Sequence, residues 1–195
     1  MKRSYLILAG LFVLAVLGGY LFSSGRLNVN LDQYAPPMPG GDFTLQSHKG
    51  PVKLSDFRGK VVLIYFGYTY CPDVCPTSLA LTSAALKQLN DSELAEIQTL
   101  FVSVDPARDT SERLNEYASF FHPNVLGLTG NKSEIDDITK RFGAYYRIPD
   151  NVTGENYAVE HSSQTIVVDK GGKIQAVIPH GTAPEAMLLT IREYF

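Results

Sequence analysis

The chain has no tryptophan, three methionines and only two cysteines, Cys71 and Cys75. So sparse a cysteine content excludes a disulfide-built scaffold. A bond between these two would also be a poor staple, because closing so short a loop removes unfolded-state entropy worth only about 2 kcal/mol. Positive charge is not in excess either: 17 Lys and Arg stand against 20 Asp and Glu, which leaves no basic footprint for nucleic acid. Internal repeats and low-complexity tracts are absent. The apolar share of 45% and charged share of 19% are those of an ordinary globular chain. Once the N-terminal segment is set aside, roughly 170 residues remain, enough for one domain with a sizeable core.

That segment is the exception to ordinary hydropathy. Lys2 and Arg3 precede Tyr5–Phe22, a stretch of 18 residues without a charge. As a helix it spans about 27 Å, the thickness of a bilayer core. The basic residues at its head keep the start in the cytoplasm and send the remainder across. We read residues 1–25 as an uncleaved transmembrane anchor; the rival is a cleaved signal peptide, for which Ser23–Gly25 supplies small residues. No cysteine lies here to carry a lipid. Residues 26–41, with Pro36, Pro37, Pro39, Gly40 and Gly41, read as an extended tether, leaving 42–195 as the domain.

Within the domain, Asp42–Leu54 reads as a short hairpin turning at His48–Gly50. Val61–Phe66 is an apolar run typical of a strand buried on both faces. It leads through Gly67 and Tyr68 into Cys71 and Cys75, each followed by proline. Pro76 suits the first turn of a helix over Thr77–Asn90. Ile97–Val104 is a second buried strand, Ser111–Phe121 a helix, Val125–Thr129 a third strand and Ser133–Phe142 a helix ended by Gly143. Arg147–Tyr157 is a loop. Thr165–Asp169 and Lys173–Ile178 form a hairpin, and Ala183–Tyr194 closes the chain as a helix. This order predicts an α/β, thioredoxin-like (peroxiredoxin-like) fold with an added N-terminal β-hairpin and a middle insertion.

A buried strand that delivers a dithiol to a helix N-terminus is well suited to reactive sulfurs, since the positive helix end lowers thiol pKa. Because the residue before a proline avoids the α region, we place both cysteines in the loop just ahead of the helix. Two convergent thiolates make a soft pair for Cu(I) or Zn²⁺, or a redox couple; spacing alone leaves both open. In a thioredoxin fold the loop entering the strand near Thr165 faces the dithiol and usually carries a cis-proline. Here no proline falls between Pro149 and Pro179, and His161 occupies that loop. With Cys71 and Cys75 it would complete an S₂N donor set, incomplete for structural zinc and good for copper. Standing alone, it would be a polar histidine in a surface loop. Asp105 and Asp109 flank a polar turn. Asp109 with Glu112 three residues on has the form of a capping box; supporting the site from behind or docking a partner is the alternative for both. His48, His122 and His180 have no nearby cysteine and read as non-ligands, and Tyr65, Tyr68 and Tyr70 as strand and rim residues.

Three pieces together, Gly67–Pro76 (GYTYCPDVCP), Val102–Thr110 (VSVDPARDT) and His161 ninety residues past Cys71, resemble the Sco/SenC family over Asp42–Phe195. Glu160 stands where that family commonly has aspartate, a conservative change. The resemblance implies that Cys71, Cys75 and His161 bind copper, as Cu(I) or Cu(II). It also implies that the protein helps assemble the copper-A centre of cytochrome c oxidase, with the copper-bearing oxidase subunit and another periplasmic copper chaperone as partners. It further implies an inner-membrane anchor, with the domain in the periplasm; Lys2-Arg3 at the start, without an Arg/Ser-rich presequence, points to a bacterial source. A thiol–disulfide oxidoreductase or a redox sensor without copper transfer is the rival. A peroxidase fits poorly, since Pro72 and Asp73 do not supply the Thr/Arg setting of a peroxidatic cysteine.

Overall fold

A computed structural model describes residues 38–150, 154 and 156–195. The apolar segment Tyr5–Phe22 and the tether up to residue 37 lie outside the described residues. Among the described residues no helix is long and apolar enough to cross a membrane. The end of the tether is already part of the body: the Gly40 N–H donates to the Arg141 carbonyl at 3.0 Å, and Arg141 Nη1 returns a bond to the Gly40 carbonyl at 2.7 Å.

The hairpin is β1 (Thr44–Ser47) and β2 (Gly50–Lys53), antiparallel about the expected turn. The apolar run becomes β3 (Val61–Gly67), with all seven residues buried. Beside it lie β4 (Ile97–Ser103) and β5 (Val125–Leu128), all parallel, and on the other flank β8 (Thr165–Val168) and β9 (Ile174–Ile178), antiparallel. The five-stranded order β5-β4-β3-β8-β9 puts β3 at the centre. Side chains alternate across a strand. Val61 and Leu63 therefore join a cluster with Ala85 and Leu86 of α1 (Val74–Leu86) and Met187 and Ile191 of α5 (Pro184–Arg192). Val62, Ile64 and Phe66 join a larger cluster containing Leu114 and Ala118 of α3 (Ser111–Phe121) and Ile135 and Ile138 of α4 (Lys132–Arg141).

Three sequence expectations need correction. Cys75 is not in the loop ahead of the helix: α1 begins at Val74, so Cys75 and Pro76 both lie in its first turn. First-turn N–H groups have no helical partner, so proline sacrifices nothing there, and its preference about the preceding residue is overridden. The same helix ends at Leu86, and a separate short helix, α2 (Asp91–Ala95), follows under an Asn90 capping box. Finally, the loop around residues 147–157 is flanked by a small ribbon, β6 (Tyr146–Arg147) against β7 (Glu160–His161), so His161 rides on a strand.

Candidate metal centre

The parallel pairing of β3 with β4 ends at Gly67–Ser103, where the Gly67 carbonyl accepts the Val104 N–H at 2.8 Å. Past that point the chain turns: the Cys71 N–H donates to the Tyr68 carbonyl at 3.2 Å, and α1 starts three residues later. Both cysteines are buried, Cys75 completely and Cys71 with 8% exposure. Gly67 is required here. A Cβ at that position would stand 2.7 Å from Cys75 Sγ and 2.8 Å from the Phe101 ring.

His161 comes to the sulfurs from β7. Its Nε2 is 3.3 Å from Cys75 Sγ, and its Nδ1 is 2.8 Å from the Ser162 carbonyl. A carbonyl can only accept, so Nδ1 carries the hydrogen and Nε2 presents its lone pair to the sulfurs. Two buried phenol rings stand edge-on to the imidazole, Tyr65 at 6.3 Å and Tyr68 at 5.6 Å between centroids. The Tyr68 hydroxyl also accepts the Val159 N–H at 3.2 Å, fixing the segment that leads into β7. The three donor atoms lie within 4.8 Å of one another. Two thiolates and one imidazole fit a soft metal of low coordination number, copper above all, and lack the fourth ligand of structural zinc.

The two thiols are unequal. Cys75 donates its side-chain hydrogen bond to Cys71, and chiefly for that reason the Cys71 thiol is lowered to about 4 against the cost of its burial. The backbone N–H groups of Asp73 and Cys75 help. The Cys75 N–H lies 3.4 Å from Cys71 Sγ. Cys75, the donor of that bond and deeply buried, is pushed strongly up.

Asp105 and Asp109 do not reach this donor set, and Asp109 is not the helix cap: Thr110 caps α3, accepting the Arg113 N–H. Asp109 is instead buried beneath the cysteine loop. It accepts the Thr69 N–H at 3.0 Å, the Thr69 hydroxyl at 2.5 Å and the Ser103 hydroxyl at 2.7 Å. Burial holds its carboxyl above the usual carboxylate range, opposed by those bonds. Asp105 pairs with Arg108 and accepts the Tyr157 hydroxyl at 2.7 Å. Arg108 in turn lies over the Tyr157 ring at 3.4 Å. The sequence reading missed Tyr68, Thr69, Arg108 and Arg113, whose partners lie up to 91 residues away. The only local hint was the density of aromatic and hydroxyl side chains immediately before Cys71. Tyr65 and Tyr68 face the imidazole rather than the rim; Tyr70 is the rim residue, 37% exposed. Among the described residues His48, His122 and His180 join no metal-binding group; His180 instead bonds the Ser78 hydroxyl at 2.8 Å.

The SCO1/SenC family model matches residues 32–195. The chain belongs to the SCO1/SenC family. A relative within it, the SCO2-like protein of Rickettsia conorii, is 39% identical over 171 residues, covering 87% of this chain and 82% of that one. Solved Sco structures match in three dimensions. Copper-bound ScoI of Bradyrhizobium japonicum superposes with a TM-score of 0.72 at 32% identity, covering 80% of this chain and 99% of the other. Copper-bound yeast Sco1 gives 0.74 at 34% identity, covering 82% and 88%. The thioredoxin-like α/β fold expected from the sequence is thus the fold of Sco proteins.

Proposed function

We propose that this SCO1/SenC protein carries one copper ion on Cys71, Cys75 and His161 and delivers it to the copper-bearing subunit of cytochrome c oxidase for its copper-A centre. The convergence of the three donors within 4.8 Å carries the reading, supported by likeness to Sco structures solved with copper bound. In this reading Tyr5–Phe22 anchors the protein in the bacterial inner membrane, the domain works on the periplasmic side, and another periplasmic copper chaperone supplies the ion. Thiolates favour Cu(I), and the imidazole extends the site to Cu(II).

The lowered Cys71 thiol supports a second task. A thiolate at neutral pH attacks a disulfide. The acceptor's disulfide would be reduced by two electrons as Cys71 and Cys75 close to a disulfide; the Cys75 proton passes to one released sulfur, and the other takes its proton from water. Closure removes both sulfur ligands, so metal is held only by the reduced form.

Anaerobic copper titration of the reduced chain tests the reading. Wild type binds one copper tightly; Cys71→Ala and Cys75→Ala lose it in both oxidation states, and His161→Ala loses Cu(II) far more than Cu(I). Weak copper binding indifferent to His161 would sink the carrier role and leave a thiol–disulfide oxidoreductase.

A further inference from the structure

The hollow in front of the donors, about 380 Å³, is walled by Tyr68, Cys71, Pro72, Val159 and His161. Cys75 does not line it, so an incoming ligand reaches the metal from the Cys71 side. Tyr68 and Pro72 also wall a second hollow of about 310 Å³, completed by Tyr70, Arg108 and Tyr157. Past Tyr70 lies a third, about 340 Å³, against Thr69, Arg113, Glu116, Tyr117 and Phe120. The ridge between the second and third is Tyr70 itself. Its ring is held between two guanidiniums, Arg108 at 4.7 Å and Arg113 at 4.2 Å from the centroid. The relief of this face is therefore set before any partner arrives.

Two groups on the outer hollow are exposed to solvent, Phe120 and Arg113. Phe120 is 84% exposed, and its ring stands edge-on to Phe121. Arg113 donates Nε to the Thr69 hydroxyl at 2.7 Å, and among the described residues it forms no ion pair, not even with Glu116 on the same hollow. Aromatic residues and arginine are among the residue types enriched at protein interfaces. Copper hand-off adds a geometric demand. The acceptor's ligand atom has to reach bonding distance while the donor still holds the ion, so the acceptor must rest on the surface adjoining Cys71.

We propose that this face, from the metal hollow across the Tyr70 ridge to Phe120, seats an extended segment of the copper acceptor. That segment brings a carboxylate to Arg113 and an apolar side chain to Phe120. The proposal rests on the carrier function above and adds its docking surface.

The test loads the full chain with Cu(I) and mixes it with the copper-free domain of the oxidase subunit that bears the copper-A site. Metal transfer is followed as acceptor concentration is varied. Arg113→Glu is expected to raise the half-saturating acceptor concentration about tenfold and to flatten its salt dependence, as loss of a steering charge does. Phe120→Ser should raise it about fivefold with the salt dependence unchanged. Phe120→Ser should keep wild-type copper stoichiometry and affinity. Wild-type half-saturation in both variants would overturn the docking surface and leave the carrier function standing. No transfer from wild type would overturn the carrier function and the docking surface with it. Should Arg113→Glu itself lose copper, its bond to Thr69 would be the cause. Phe120→Ser, remote from the donors, then decides alone, and an unchanged half-saturation there overturns the proposal.

Discussion

The sulfur side and the imidazole side of the donor set rest on unequal foundations. Cys71 and Cys75 hang from β3, which is paired along its length with β4 and over four residues with β8, and which has no exposed residue. The buried Asp109 ties their loop down through Thr69. His161 sits on a ribbon of two residues per strand, held by exposed Arg147–Glu160 and by bonds between Tyr145 and Ser162. So short a ribbon has little stability of its own. The sulfurs are positioned by the core of the domain. The imidazole is positioned by two tyrosine rings, one hydroxyl and one carbonyl, which makes it the adjustable ligand.

The contrast can be broken at several points. The largest effect expected is in thiol reactivity. With its thiol lowered to about 4, Cys71 in the reduced, metal-free protein is a thiolate at neutral pH. Its alkylation rate should stay flat down to about pH 5 and fall only as the thiolate protonates near 4, far below the range of a free thiol. Cys75, buried and holding its proton, should remain unlabelled until the protein is unfolded. Mass spectrometry of timed samples reads both, and equal labelling of the two would refute the inequality.

Next in size is Gly67→Ala, whose methyl would meet Cys75 Sγ at 2.7 Å, Phe101 at 2.8 Å and Tyr65 at 2.9 Å. Overpacking of a sheet-anchored site should cost roughly 2 kcal/mol in urea unfolding and weaken copper in both oxidation states. A variant as stable as wild type would show the sulfur side to be compliant after all. On the imidazole side, Tyr68→Phe leaves the Val159 N–H unpaired. It should cost about 1 kcal/mol and lower Cu(II) affinity while sparing Cu(I). Equal loss in both states would tie Tyr68 to the sulfurs instead. The smallest effect belongs to Glu160→Gln: an exposed ion pair at the ribbon edge should leave melting temperature and copper affinity unchanged within error. A clear drop in Cu(II) affinity would make the ribbon's charge pair part of the site.

How legible these features were in the sequence follows the range of the interactions behind them. The buried run Val61–Phe66, which the structure extends by Gly67, and the bounds of α3 came from patterns a few residues long, which periodicity reports directly. Asp109 was misread as a cap because its local neighbours fit one, whereas its partner Thr69 is 40 residues away. Cys75 was displaced from α1 by a backbone preference of Pro76 that the helix terminus outweighs. Tyr68 gave little local signal, since an aromatic at the end of an apolar strand reads as a strand or rim residue whether or not its hydroxyl holds a distant loop.

The sequence by itself put forward Cys71, Cys75 and His161 as a candidate S₂N donor set and left metal binding and a redox couple both open. The chain has only two cysteines, and a histidine stands where a thioredoxin-like chain keeps proline. Only the tertiary structure decided that Cys75 Sγ and His161 Nε2, 86 residues apart, meet at 3.3 Å. It also decided that Cys71 is the sulfur open to a partner and Cys75 the one that keeps its proton. Those outcomes depend on burial and on long-range hydrogen bonds, which exist only once β3 has been covered on both faces and the β6–β7 ribbon has closed over its end.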